Sequence, residues 1–126
     1  MEKINIAKRN NLYFRLYNTA EKKLYYDVMI GNCDGENTCP MIFENGDWLH
    51  INGSTSIIMQ YTGFKDKNSV KIYEGDIIKI SKTLTGTIQY SEKSARFEIR
   101  YNETTSYQVS PLGDWIRHYE VVGMNI

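Results

Sequence analysis

Two cysteines and two histidines are the residues of this 126-residue chain best suited to covalent or metal chemistry. A thiol nucleophile would pair Cys33 or Cys39 with a base, and His50 and His118 are the only histidines. The cysteines could join in principle, but in a reducing compartment, and flanking Asp34-Gly-Glu-Asn-Thr38, which holds acids and no cation to lower a thiol pKa, they are expected to be free, unactivated thiols. The same four residues could ligate zinc, but five residues separate the cysteines, more than the roughly two to four of common zinc pairs. Glu74 and Asp76 could act as a general acid and base. Two apart on a strand, they share a face, yet no neighbour in sequence would drive their pKa values apart, and solvated turn residues are expected. A Walker loop, a Gly-x-Ser-x-Gly elbow and a His-Glu-x-x-His pair are all missing from the sequence. The expectation is a protein that is not an enzyme, with no catalytic residue, no cofactor and no metal.

The elements that would position any site read as strands. Side chains alternating with period two recur along the chain, whereas helical spacing is nearly absent. Tyr13–Tyr17 and Leu24–Ile30, separated by a polar loop, predict a first hairpin with Leu24, Tyr26, Val28 and Ile30 on one face. Gly31 to Pro40 predicts a loop, with Pro40 at a strand start or edge because it has no N–H to donate. Met41–Phe43 and Trp48–Ile51 flank Glu44-Asn-Gly-Asp47, whose Asn-Gly pair suits a tight turn and predicts a second hairpin. Ser56–Tyr61 continues as a strand, followed by a polar turn through Asn68. Beyond it come Ile77–Ile80, Gly86–Tyr90 and Arg96–Tyr101, the last with Phe97, Ile99 and Tyr101 facing a core and Arg96, Glu98 and Arg100 facing water. Tyr107–Val109 and Glu120–Val122 predict short closing strands, with a helical turn between them capped by Asp114.

The fold expected is mainly β: N-terminal β hairpins over residues 1–62 packed with a C-terminal SH3-like small barrel over 63–126, forming one compact unit. Closure into a barrel would remove exposed strand edges. Fifteen basic residues balance fifteen acidic ones, which excludes the overall basic bias of a dedicated nucleic-acid binder. With no apolar run of membrane-spanning length and no apolar core in the first residues, the expected location is the cytoplasm.

One segment resembles a known family. Gln60-Tyr-Thr-Gly-Phe-Lys-Asp-Lys-Asn68, continuing through Ile72-Tyr-Glu-Gly-Asp76 and Ile77-Ile-Lys79, is similar to a stretch of the YopX family of phage and prophage proteins. Phe14–Tyr17 with Lys22–Tyr26 resembles that family's opening hairpin, and Glu120-Val-Val-Gly123 its ending. Ser69 departs from the pattern, standing where the family usually has Gly, and the acidic, Asn-Pro-containing tail of many relatives is missing after Ile126. The resemblance implies a C-terminal SH3-type barrel, an N-terminal β extension and a phage or prophage origin in a bacterial host, and it carries no established activity. Physically, the motif residues Gln60, Tyr61, Thr62, Gly63, Lys65, Asp66, Lys67, Asn68, Ile72, Tyr73, Glu74, Gly75 and Asp76 read as turn organisers. Gly63 and Gly75 supply unusual backbone angles, and Glu74 and Asp76 accept turn amides.

Binding is then the remaining class of function. Tyr25, Tyr61, Tyr73 and Tyr90 offer large contact area at low entropic cost and are the candidate contacts for a host or phage protein. The alternative is a nucleic-acid-binding regulator using Lys65, Lys67, Lys79, Lys82, Arg96 and Arg100, with Asp66, Glu74, Asp76 and Glu98 diluting the field. No membrane partner is expected. Leftover edge strands invite pairing with a second copy, so a homo-oligomer is a further expectation.

Overall fold

The computed structural model describes residues 12–32, 38–102 and 108–126. Its elements are strands joined by turns, with two 3-10 turns as the helical pieces among the described residues. Strands β1 (Phe14–Asn18) and β2 (Lys23–Tyr25) form the first hairpin. Asn18, almost fully buried, ties its turn: Oδ1 accepts from the N–H groups of Ala20 and Glu21, and Nδ2 donates to Thr55 Oγ1. The predicted strand Leu24–Ile30 is broken, because the chain bends at Tyr26-Asp27 and enters a different sheet as β3 (Val28–Asn32). Tyr25 therefore turns into the core while Tyr26 is exposed, the reverse of the expected face.

Strand β3 pairs with β4 (Thr38–Glu44), which pairs with β5 (Asp47–His50) across a turn where Asn45 and Gly46 have φ of 55° and 81°. These are the positive angles that the Asn-Gly pair predicts. The expected Gly31 to Pro40 loop is shorter: pairing extends to Asn32↔Thr38, and residues 33–37 lie outside the described ones. Pro40 is not at a strand start. It stands inside β4 opposite Ile30. Phe43 N–H donates to Asp27 O on the β3 side, so, by alternation, Pro40 points its missing N–H toward Ile51, just beyond the end of β5.

A 3-10 turn at Gly53–Thr55 leads into β6 (Ser56–Lys65), longer than predicted, which runs beside β1 and then pairs with β7 (Lys71–Tyr73). The first sheet has the order β2-β1-β6-β7. Residue 62 thus falls within β6, and β7 completes a sheet built largely from the N-terminal half. Strands β8 (Asp76–Lys79), β9 (Thr85–Ser91), β10 (Arg96–Tyr101), β11 (Val109–Pro111) and β12 (Glu120–Met124) form a second antiparallel sheet in the order β11-β10-β9-β8-β12, curled into a half-barrel. Tyr107 lies outside the described residues. The second 3-10 turn, Asp114–His118, is preceded by Gly113 without a side-chain cap; Asp114 instead pairs with Arg117 at 3.3 Å.

Two cores result. Ile72, Ile78, Ile88, Ile99 and Ile116 pack inside the curled sheet with Phe64, Trp115 and Tyr119 around them. Leu16, Tyr25 and Ile42 form the other, with Val28, Ile51 and Ile58. Strand β10 follows its predicted alternation except at Glu98, which is buried rather than facing water. Gln89 Nε2 donates to it at 2.8 Å and Arg96 Nε at 3.5 Å, so the carboxylate is satisfied by its neighbours across and along the sheet.

Candidate functional site

The family-like segment forms the seam between two of the three sheets, β2-β1-β6-β7 and the curled β11-β10-β9-β8-β12. Arg15 leaves β1 and meets Asp76 at the start of β8: Nη2 lies 2.8 Å from Asp76 Oδ1 and also donates to Glu74 O at 3.0 Å. Asp76 Oδ2 accepts from Tyr73 N–H at 2.8 Å. Both side chains are about 95% buried, with relative exposures of 5% and 3%. Arg15 Nε is buried without a hydrogen-bond partner. Burial pushes the Asp76 carboxyl up from its ordinary value, against the downward pull of the Tyr73 N–H and the Arg15 guanidinium.

Glu74 and Asp76 are therefore not solvated turn residues. Glu74 Oε1 accepts from Gln60 N–H at 2.9 Å, and burial raises its carboxyl pKa despite that bond. Gly75 between them has φ of 86°; its N–H donates to Ile88 O and its carbonyl accepts from Asn125 N–H. A Cβ there would stand 3.1 Å from Met59 Sδ, so both the backbone angle and the space call for glycine. Asp66 binds a second set of amides. Oδ1 accepts from Asn68 and Val70, and Oδ2 from Val121 on β12. Burial pushes its carboxyl up, but these three N–H groups and the Lys67 charge outweigh that and hold it below its usual value. Thr62 Oγ1 donates to Ile72 O across the irregular stretch of β6 around Gly63.

Above this seam lies an open cleft with two adjoining halves. The inner half, about 600 Å³, has Arg15, Tyr73 and Asp76 at its floor and Tyr13, Tyr26 and Lys71 on its walls. The outer half, about 480 Å³, shares Tyr13, Tyr26 and Asp27 and adds Val28, Phe43 and Trp48. The tyrosine rings form one contiguous chain, and Phe43 and Trp48 a second pair. Centroids of Tyr13 and Tyr61, Tyr61 and Tyr73, Tyr26 and Tyr73, and Phe43 and Trp48 are 5.9, 5.7, 6.0 and 5.3 Å apart. Lys71 Nζ sits 3.8 Å from the Tyr13 centroid, and Arg15 Cζ lies 4.8 Å from that of Tyr73.

Of the tyrosines singled out in the sequence, Tyr25, Tyr61 and Tyr73 are buried, and burial raises the pKa of each hydroxyl. Tyr61 and Tyr73 back the cleft, whereas Tyr90 is exposed and packs against Phe97 on β10. The exposed rings of the cleft are Tyr13, Tyr26, Phe43 and Trp48, at 44%, 57%, 44% and 40% exposure. Sequence reasoning passed over them together with Arg15. Two signals were present: Tyr13, just ahead of β1, stands two residues from Arg15 and so on its side of an extended chain, and the two-residue Asn-Gly turn sets Phe43 opposite Trp48.

The basic candidates divide. Lys67, Lys79 and Lys82 meet in one groove with His118 and Tyr119. Arg100 lines a separate hollow with Thr87, Gln89 and Asn102. Arg96 is held by Glu98, Lys67 by Glu120 at 3.5 Å, and Lys65 stands opposite Lys71 at the end of β6.

The strand pairing brings Cys39 Sγ to 3.4 Å from His50 Nδ1, the thiol–base combination that the sequence raised. Cys39 is disulfide-bonded, however, which corrects the expectation of a free thiol at this position and removes it as a nucleophile in this state. Cys33 lies outside the described residues. Among the described residues no group of three His, Cys, Asp or Glu could hold a metal ion, and no helix is long and apolar enough to cross a membrane.

A mainly β chain with a motif-built seam under an aromatic cleft is thus the class that fold and site define. The model of the family described as YopX protein matches residues 13–126, and the chain belongs to the YopX family. Among solved structures the chain is similar to protein EF1440 from Enterococcus faecalis, with a TM-score of 0.57 and 24% sequence identity over 90% of this chain and 92% of that one. That likeness establishes a shared fold. No protein of curated function matches the sequence.

Ser69, the departure from the family pattern, has φ of 62° in the turn that Asp66 organises. A left-handed angle costs a side-chain-bearing residue about 1–2 kcal/mol, partly offset by the greater freedom glycine has when unfolded. Ser69→Gly should therefore raise stability by about 0.5–1 kcal/mol, read as a higher urea midpoint; a lower midpoint would mean the hydroxyl contributes more than the strain removes.

Proposed function

We propose that the chain is a non-catalytic, phage- or prophage-encoded binding module, its curled C-terminal sheet an SH3-like frame and its aromatic cleft the contact for a segment of a host or phage protein. The observation that carries this reading is the set of four part-exposed rings, Tyr13, Tyr26, Phe43 and Trp48, lining adjoining halves of one cleft. Clustered exposed aromatics mark interaction sites, and such rings supply most of the binding energy in small interfaces. The buried Arg15–Asp76 pair below them keeps the floor rigid, which lowers the entropic cost of binding.

A nucleic-acid-binding regulator remains the second reading, favoured by the convergence of Lys67, Lys79 and Lys82 in one groove. A single selection separates the two. Immobilised protein is exposed to a displayed random-peptide library, and labelled DNA and RNA are titrated by anisotropy at low and physiological salt. Enriched peptides whose retention falls by about tenfold or more in Tyr26→Ala/Trp48→Ala are expected. Lack of enrichment, together with nucleic-acid binding that weakens with salt and with Lys79→Glu/Lys82→Glu, would overturn the first reading for the second.

A further inference from the structure

The outer half of the cleft has a composition of its own. Its lining is four aromatic side chains, Val28 and the carboxylate-bearing Asp27, with no Lys, Arg or His. Ring faces are the negative side of the aromatic quadrupole and attract cations. Asp27 adds a formal negative charge and takes part in no ion pair among the described residues. An apolar occupant would bury ring surface but strip water from Asp27 without replacing it, and an anionic occupant would be repelled by ring faces and carboxylate alike. Within the same aromatic cluster, Lys71 Nζ already rests over Tyr13 and lies 5.8 Å from the Tyr61 centroid, and Arg15 rests over Tyr73. Of the rings lining the outer half, Tyr13 thus already holds a cation on its inner side.

We infer that the outer half of the cleft is an aromatic cage for a cationic side chain, the ammonium of a lysine or the guanidinium of an arginine on the partner segment, set by Tyr13, Tyr26, Phe43, Trp48 and Asp27. The inference rests on the reading of the cleft as a protein-binding site and names the chemistry that the site selects. Lys71, in the inner half, opposes the incoming charge and sets how far in it reaches.

The test uses the full chain and two small probes of one shape, choline and its neutral isostere 3,3-dimethylbutan-1-ol, titrated by NMR. Saturable shifts of the Trp48 indole N–H are expected for choline, with the neutral alcohol bound about fivefold more weakly. Asp27→Asn, a change at an exposed side chain, should weaken choline by a few-fold and leave the alcohol unchanged. Lys71→Met should tighten choline. Equal binding of the two probes, no saturable shift, or indifference to Asp27→Asn would overturn the cage. Peptides enriched without any basic residue, alongside equal probe binding, would sink the cage and leave the protein-binding reading standing; preference for choline without peptide enrichment would do the opposite.

Discussion

Asp76→Ala should lower the free energy of unfolding by about 3–5 kcal/mol, the cost of breaking a buried ion pair by removing one partner. The substitution leaves the Arg15 guanidinium, 5% exposed, without its counter-charge 2.8 Å away, and strips the Tyr73 N–H of its acceptor. Arg15 already carries a buried Nε with no partner, so little remains nearby to compensate. Urea unfolding followed by the fluorescence of Trp48 and Trp115 reads the loss. A companion variant isolates the charge: Arg15→Met/Asp76→Ala should be more stable than the sum of its single changes, because an apolar pair no longer traps a lone cation. A loss below about 1 kcal/mol in Asp76→Ala would mean that solvent reaches the pair and that it does not hold the seam. Because Arg15 and Asp76 join β1 to β8, the variant should also blunt any binding that needs the cleft floor in place.

That pair shows where sequence reasoning stops. Residues 15 and 76 are 61 positions apart, and neither alternation nor turn chemistry connects them; only sheet order does. Local pattern served well where local forces decide. The Asn-Gly turn sets the β4–β5 register, and the Arg96–Tyr101 alternation matches β10 except at Glu98. It failed where a strand changes sheets, at Tyr26-Asp27, since a bend that redirects a strand leaves the period-two pattern of its side chains intact. It failed again at Glu98 and at Glu74 and Asp76, where acidic residues were assigned to water because their partners, Gln89, Gln60 and Arg15, lie on other strands. The family-like motif was legible as a turn organiser. Its second role, joining two sheets beneath an aromatic cleft, depended on β12 and on Arg15, neither of which is part of the motif. The cleft's exposed rings were passed over because contact value was assigned to Tyr25, Tyr61, Tyr73 and Tyr90, of which Tyr61 and Tyr73, the two within the motif, are packed into the seam.

Asp66 is the other place where one side chain holds several strands, and its removal should be the second most damaging change. Asp66→Ala leaves the N–H groups of Asn68, Val70 and Val121 without their acceptor, and the last of these ties β12 to the turn between β6 and β7. Hydrogen bonds to a charged group contribute about 1.5–3 kcal/mol each, and water will recover part of the loss at the turn amides, so a net cost of about 3 kcal/mol at neutral pH is expected. The pH dependence separates charge from packing. The amides around it hold the Asp66 carboxyl below its ordinary value of 3.8 in the folded chain, so its contribution is present above that value and is lost as pH falls through the folded pKa. Glu74 and Asp76 run the other way: burial raises both, so the folded state takes up their protons first, and they favour the unfolded chain as pH rises through their range. Wild-type chain should therefore lose stability into acid through Asp66 while these two groups oppose the loss. The gap between wild type and Asp66→Ala should be widest at neutral pH and narrow below 3.8, and Asp66→Asn, which keeps one acceptor oxygen, should fall between them. Urea unfolding of the three proteins at neutral and acidic pH makes the comparison. A gap that stays constant across pH would assign the role of Asp66 to packing and refute the amide-binding carboxylate as what fastens β12.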